Sequence, residues 1–161
     1  MGKAAPVEVR TTIAATPREV YDLVADLPRM GEFSPECRSV SWRQGAGAAQ
    51  LGVRFIGRNQ NGWRRWNTRG VITAADPGRR LQFQNHFLGL PMSTWTYEFR
   101  AQDGGTLVTE RWEDRQIFLT RLWIVGWLVT GVGRRGGHNR TTMEATLQQI
   151  RRTVESAARV G

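Results

Sequence analysis

Apolar residues recur at every second position through most of this chain and at every third or fourth position at its end. Val7, Val9, Thr11 and Ile13 alternate with Glu8, Arg10 and Thr12, as on a half-buried strand. Thr16-Pro17 with Glu19 three residues after the threonine predicts a capped helix start, and Val20, Leu23 and Val24 supply its apolar face. Pro28, Gly31 and Pro35 limit the next stretch to a short second helix and a loop. Strand-type segments then succeed one another: Val40–Trp42, Val53–Asn59, Trp63–Thr73, Leu81–Phe87, Ser93–Arg100 and Leu107–Asp114. Asn61-Gly62, Asp76-Pro77-Gly78 and Asp103-Gly104-Gly105 are the turns between several of them.

The period changes at the end. Met143, Leu147, Ile150, Val154 and Ala157 step by four and three, which places them on one side of a helix over Thr141–Val160. Thr141 and Glu144 have capping-box spacing, so a helix start is expected there, and Gly131–Gly137 reads as a break before it. Between lies Ile117–Gly133, apolar nearly all round with Arg121 its one charge. It is short of a membrane span. A buried helix, a gate over a cavity, a membrane-touching face and a dimer surface all fit it, and its length favours the first two.

Alternation also sorts side chains into two faces. Val40, Trp42, Val53, Phe55, Trp66, Ile72, Leu81, Phe83, Asn85, Phe87, Trp95, Tyr97, Phe99, Val108, Glu110, Trp112 and Asp114 fall on one face. Arg54, Arg58, Arg65, Arg69, Gln82, Gln84, Glu98 and Arg100 fall on the other, which reads as solvated. The inward set is rich in tryptophan and carries a few polar groups: Asn85, Tyr97 and Glu110. A buried carboxylate needs a partner or a shifted pKa. Arg64 and Arg111 are the expected partners of Glu110 if its role is structural.

Composition changes this picture little. At 161 residues one domain is expected, with residues 117–136 as an internal gating segment. The net charge is +9, and only one of the 23 basic residues is a lysine. So lopsided an arginine excess fits GC-rich coding, as in actinobacteria, better than a nucleic-acid site. Arginine and tryptophan do interleave over Arg54–Arg69, but Arg65 and Trp66 fall on opposite faces, so no nucleic acid is expected there. The single Cys37 forms no internal disulfide. The first residues carry no apolar run of signal-peptide length, and a cytoplasmic protein is expected.

The order strand, two short helices, six strands, long helix resembles the helix-grip fold of the SRPBCC superfamily: START domains, birch-pollen-allergen relatives and polyketide cyclase/dehydrase-like proteins. Thr16-Pro17-Arg18-Glu19-Val20-Tyr21, Leu27-Pro28-Arg29-Met30, Gly78-Arg79-Arg80-Leu81, Trp95-Thr96-Tyr97-Glu98-Phe99 and His138-Asn139-Arg140 are similar local phrases. The resemblance implies an α+β fold. A seven-stranded antiparallel curved sheet would wrap a long C-terminal helix, with an apolar ligand held between them. It makes Trp42, Phe55, Trp66, Phe83, Asn85, Trp95, Tyr97, Glu110, Trp112 and Trp123 candidates for the cavity wall.

Three functions remain open. One is binding of an apolar small molecule, lipid or polyketide-like. The second is cyclase or dehydratase chemistry, with Glu110 as general acid or base and Tyr97 and Asn85 polarising a carbonyl. The third is peripheral contact with a membrane or protein partner through Trp123 and Trp127 beside Arg134 and Arg135. No motif asks for a cofactor. His86 and His138 are far apart and have no HExxH or paired-cysteine pattern, so no metal is expected. GxGxxG at Gly131–Gly136 follows an apolar run rather than a strand, which excludes a dinucleotide site.

Overall fold

The computed structural model describes residues 4–116 and 135–160. Seven strands form one antiparallel sheet: β1 Val7–Ile13, β2 Cys37–Trp42, β3 Arg54–Asn61, β4 Arg64–Asp76, β5 Arg80–Phe87, β6 Leu90–Gln102 and β7 Gly105–Asp114. Their order across the sheet is β1-β7-β6-β5-β4-β3-β2. Every neighbour but one is joined in sequence by a hairpin. The exception, β1 against β7, brings the start of the described chain next to its last strand. Helices α1 (Pro17–Ala25) and α2 (Met30–Phe33), with a 3-10 turn at Leu27–Arg29, fill the crossover from β1 to β2. The curved sheet and the long helix α3 (Arg135–Val160) make this an α+β helix-grip fold.

Local chemistry explains the elements. Thr16 caps α1 reciprocally: its hydroxyl oxygen accepts from the Glu19 amide at 3.3 Å, and the Glu19 carboxylate accepts from the Thr16 amide at 2.8 Å. The inward strand residues and the apolar stripe of α3 share one core, in which Ile13, Val20, Val24, Val108 and Ile150 are fully buried. α3 lies along β1 and reaches α1, α2 and β7. Near its far end it is tied down where the Ala14 amide donates to Glu155 at 3.1 Å.

Three expectations about the last helix need correction. It begins at Arg135, not Thr141, so Gly136 and Gly137 lie within its first turns instead of breaking the chain before it. Thr141 is therefore an interior residue, and its hydroxyl donates back to the Gly137 carbonyl at 3.4 Å. The reason is tertiary: Asn139, two residues ahead of the predicted cap, is buried, so packing begins before that cap. At the other end Met143, Leu147, Ile150 and Val154 are buried but Ala157 is exposed, because the helix runs past the sheet. The apolar segment Ile117–Gly133, with Trp123 and Trp127, lies outside the described residues, as does the expected gate. Among the described residues no helix is long and apolar enough to cross a membrane.

Candidate functional site

Strand register assembles the site in three rows across the sheet. Phe55 faces Gly70, Gly70 faces Asn85, and Asn85 faces Ser93. The next row runs Ile72, Phe83, Trp95, Trp112. The third runs Leu81, Tyr97, Glu110, Val9. With period-two alternation, all these side chains point to the concave face. Gly70 has a steric role: a Cβ there would lie 2.0 Å from the Phe55 ring, so its absence lets that ring lie against β4.

Between the rows and α3 is a cavity of about 150 Å³. Phe55, Trp66, Phe83, Asn85, Trp95, Tyr97, Glu110 and Trp112 all line it. Trp42 does not; it is half-buried and meets Phe55 edge-on at 6.2 Å. Trp123 lies outside the described residues. Edge-to-face contact of Phe55 with Phe83 at 5.4 Å, and stacking of Phe83 on Tyr97 at 6.4 Å, give the wall a continuous aromatic surface.

At the buried end the Tyr97 hydroxyl donates to Glu110 Oε1 at 2.7 Å. This replaces the expected arginine pairing: Arg111 faces the other way and lies 3.4 Å from Glu113, since adjacent residues on a strand point to opposite faces. Arg64 stacks on Trp63 at the tip of the β3–β4 hairpin, 4.5 Å from the ring centroid. Burial pushes the Glu110 carboxyl up from 4.5 to about 8, against the Tyr97 hydrogen bond, which lowers it. Burial also raises the Tyr97 hydroxyl well above its ordinary value, with the neighbouring carboxylate acting in the same direction. At neutral pH the pair is a carboxylic acid and a phenol. Two buried atoms here have no hydrogen-bond partner among the described residues: Glu110 Oε2 and Asn85 Oδ1. Orphaned polar atoms facing an aromatic cavity are the groups a ligand would satisfy.

Strand alternation did not reveal the rest of the wall. Leu27, Met30, Ser34 and Glu36 come from the crossover, Cys37 opens β2, and Asn139, Thr142, Met143 and Thr146 come from α3. On α3 a signal was present: Asn139, Thr142, Met143 and Thr146 have helical i, i+3 and i+4 spacing, a polar edge beside the apolar stripe. Thr142 and Thr146 donate to helix carbonyls, Thr146 to Thr142 at 2.8 Å and Thr142 to Asn139 at 3.0 Å. Their oxygens keep lone pairs for the cavity. His138 meets Glu36 at 3.2 Å and joins α3 to the loop before β2. The Cys37 thiol is pushed up to about 11 by burial, so it is protonated at neutral pH and no nucleophile.

The comparisons with known proteins agree with this architecture. The family model described as polyketide cyclase / dehydrase and lipid transport matches residues 4–155. The solution structure of the Polyketide_cyc-like protein Cgl2372 from Corynebacterium glutamicum is 30% identical, with a TM-score of 0.67, covering 98% of this chain and 96% of that one. StfQ, a di-domain ARO/CYC protein of the steffimycin biosynthetic pathway, superposes with a TM-score of 0.72 at 16% identity, over 95% of this chain and 51% of its own. CV1439 from Chromobacterium violaceum does so with a TM-score of 0.69 at 13% identity, over 94% and 99%. At such identities the last two show the shared fold alone. Comparison with curated proteins found no match. A family match over nearly the whole chain, together with the 30% identical structure, shows that this chain belongs to the polyketide cyclase/dehydrase and lipid transport family.

Proposed function

We propose that this protein binds a small, flat, mostly apolar molecule carrying oxygen substituents, held between the sheet and α3. The observation that carries the reading is the pair of orphaned buried atoms, Glu110 Oε2 and Asn85 Oδ1, set in an aromatic wall. Because the Tyr97 proton occupies Oε1, a neutral Glu110 presents its own proton from Oε2. It therefore suits a carbonyl acceptor. Asn85 presents a carbonyl oxygen and suits a hydroxyl donor. A cavity of about 150 Å³, walled mostly by apolar side chains, is the size that takes a benzene molecule. That favours a one- or two-ring compound over a diacyl lipid. The family's polyketide cyclase members support the same chemical class.

The test is native mass spectrometry of the purified chain, followed by extraction and identification of the released molecule. A discrete adduct with the mass of a small oxygenated ring compound is expected. Trp66→Arg should abolish it while Arg65→Ala, on the outer face, leaves it intact. Equal effects from both, or a phospholipid as the released species, would overturn the reading.

The neutral Glu110 favours one catalytic reading as well. In dehydration of a β-hydroxy ketone its proton would pass to the departing hydroxyl as the C–O bond breaks. In the same step the carboxyl group would take the α-proton, so that the C–H electron pair forms the C=C bond as water leaves and the acid is restored. Turnover would fall as pH rises through about 8. Glu110→Gln should abolish turnover while still accepting the Tyr97 hydrogen bond. A variant that keeps its rate removes Glu110 from the chemistry without touching the binding reading.

A further inference from the structure

Two hairpin tips stand at the same end of the sheet. With every strand antiparallel, the β3–β4 and β5–β6 turns share one end and the β4–β5 turn lies at the other. The tips carry Trp63, 80% exposed, and Leu88, 85% exposed, two of the four large hydrophobic side chains that stand in solvent among the described residues. Leu88 is the more telling. Its φ is 51°, in the left-handed region that side chains with a Cβ enter only at a cost. Gly89 follows at φ 83°, so this is the two-residue turn that Asn-Gly would make without strain. Leucine here strains the backbone and adds nothing to the core. At the other tip Gly62 takes the positive φ, and Trp63 beside it carries the Arg64 guanidinium over its ring.

Within the two hairpins themselves the charge has one sign, while Glu36, Glu113 and Asp114 stand at the neighbouring strand ends. Residues 54–75 hold five arginines and no acid, and residues 81–97 hold neither arginine, lysine nor acid. Arg54, Arg58, Arg65 and Arg69 are exposed, and none has a carboxylate partner among the described residues; Arg58 donates to the Ser41 hydroxyl. β4 continues through residues 64–68 beyond its last pair with β5, Arg69 against His86, so this basic ribbon projects past the neighbouring hairpin. The cavity extends in the same direction: Asn59 and Trp66, paired across β3 and β4 just before the turn, both line it.

We infer that this end of the sheet docks on an anionic lipid bilayer, with Trp63 and Leu88 at the headgroup boundary and the hairpin arginines on the headgroups. Tryptophan and leucine gain by leaving water at that boundary, and the exposed Arg54, Arg58, Arg65 and Arg69 gain from anionic lipid. A nucleic acid would use the charge and could stack on Trp63, but it gives Leu88 no role. Docking in this orientation would bring the Asn59–Trp66 end of the cavity close to the bilayer. Such docking is independent of the molecule that fills the cavity.

The experiment is co-sedimentation of the full chain with phosphatidylcholine vesicles, with and without phosphatidylglycerol, at low and high salt. Wild type should sediment with the anionic vesicles at low salt and with neither at high salt. Leu88→Gly should lower vesicle partition by about tenfold, the scale of one leucine leaving water. It should not lower thermal stability, since glycine accepts the native φ; this keeps lost binding distinct from lost folding. Trp63→Ala with Leu88→Gly, and separately Arg58→Glu with Arg65→Glu, should leave almost no sedimented protein. Failure of wild type to sediment, equal binding to neutral vesicles, or unchanged binding by the tip variants would overturn the inference. So would equal displacement of wild type and tip variant by single-stranded DNA, which would reduce the interaction to charge alone.

Discussion

Glu110 is the residue that most sets this interior apart from an ordinary core. Its raised pKa makes folding proton-linked. Between 4.5 and about 8 the folded chain holds a proton that the unfolded chain has shed. Stability contributed by this group therefore falls as pH rises through that window, by about 1.4 kcal/mol per pH unit. Glu110→Gln should remove this slope and make the variant more stable than wild type near pH 8, as read by urea unfolding at a series of pH values. A wild-type profile that is flat from pH 5 to 8 would contradict the buried-acid assignment. Tyr97→Phe should act differently. It deletes the donor to Oε1 and should cost about 1–3 kcal/mol by leaving that oxygen unpaired. It should also raise the Glu110 pKa further, because the lost bond lowers it.

Among the elements, the β3–β4 pair sets the width of the cavity. The Phe55 ring occupies the space above Gly70, so ring and missing side chain are one unit. Gly70→Ala should cost about 1–3 kcal/mol through the forced shift of that ring. Combining it with Phe55→Ala should recover part of the loss, so the two changes would be non-additive in chemical unfolding. Strict additivity would mean the ring moves aside freely. Phe55→Ala alone should enlarge the cavity and admit compounds with an extra ring, a shift that native mass spectrometry of a ligand series would show. α3 carries the opposite wall, and its Leu147 is buried against the core. Leu147→Ala should cost about 2–5 kcal/mol.

For the whole molecule, a ligand that sits between sheet and helix couples occupancy to stability. A site filled at about a hundred times its dissociation constant adds roughly 2.7 kcal/mol. For a chain of this length that is on the order of 5–10 °C in midpoint temperature. Protein purified with its ligand should lose such an increment after extraction and refolding, and adding the extract back should restore it. No change on stripping would mean that the aromatic wall supports itself. The curved sheet also explains how one short chain holds both a core and a cavity. α3 packs closely on β1, α1 and α2 and has less contact with β7, while the inner faces of β3 to β6 and the Glu110–Trp112 stretch of β7 remain for a ligand.

Much of this was determined by the sequence alone, because it depends on local periods. Strand alternation put Phe55, Phe83, Tyr97 and Glu110 on one face and Arg54, Arg58, Arg65 and Glu98 on the other, and the folded chain keeps that division. The capping box at Thr16 and the stripe Met143, Leu147, Ile150, Val154 are equally local and equally visible. Register is local only within a hairpin. Tyr97 opposite Glu110 and Gly70 beneath Phe55 are each set within one hairpin by its turn, but that Val9 stands opposite Glu110 depends on how β1 meets β7, the first and last described strands. Trp42 shares the parity of the wall yet falls outside it, because parity gives a face and not a position along it. The polar lining from Ser34, Glu36, Asn139 and Thr146 depends on where the crossover and α3 close over the sheet. The early start of α3 has the same origin: burial of Asn139 outweighs two glycines that, judged on local propensity, should have kept the helix from starting before Thr141.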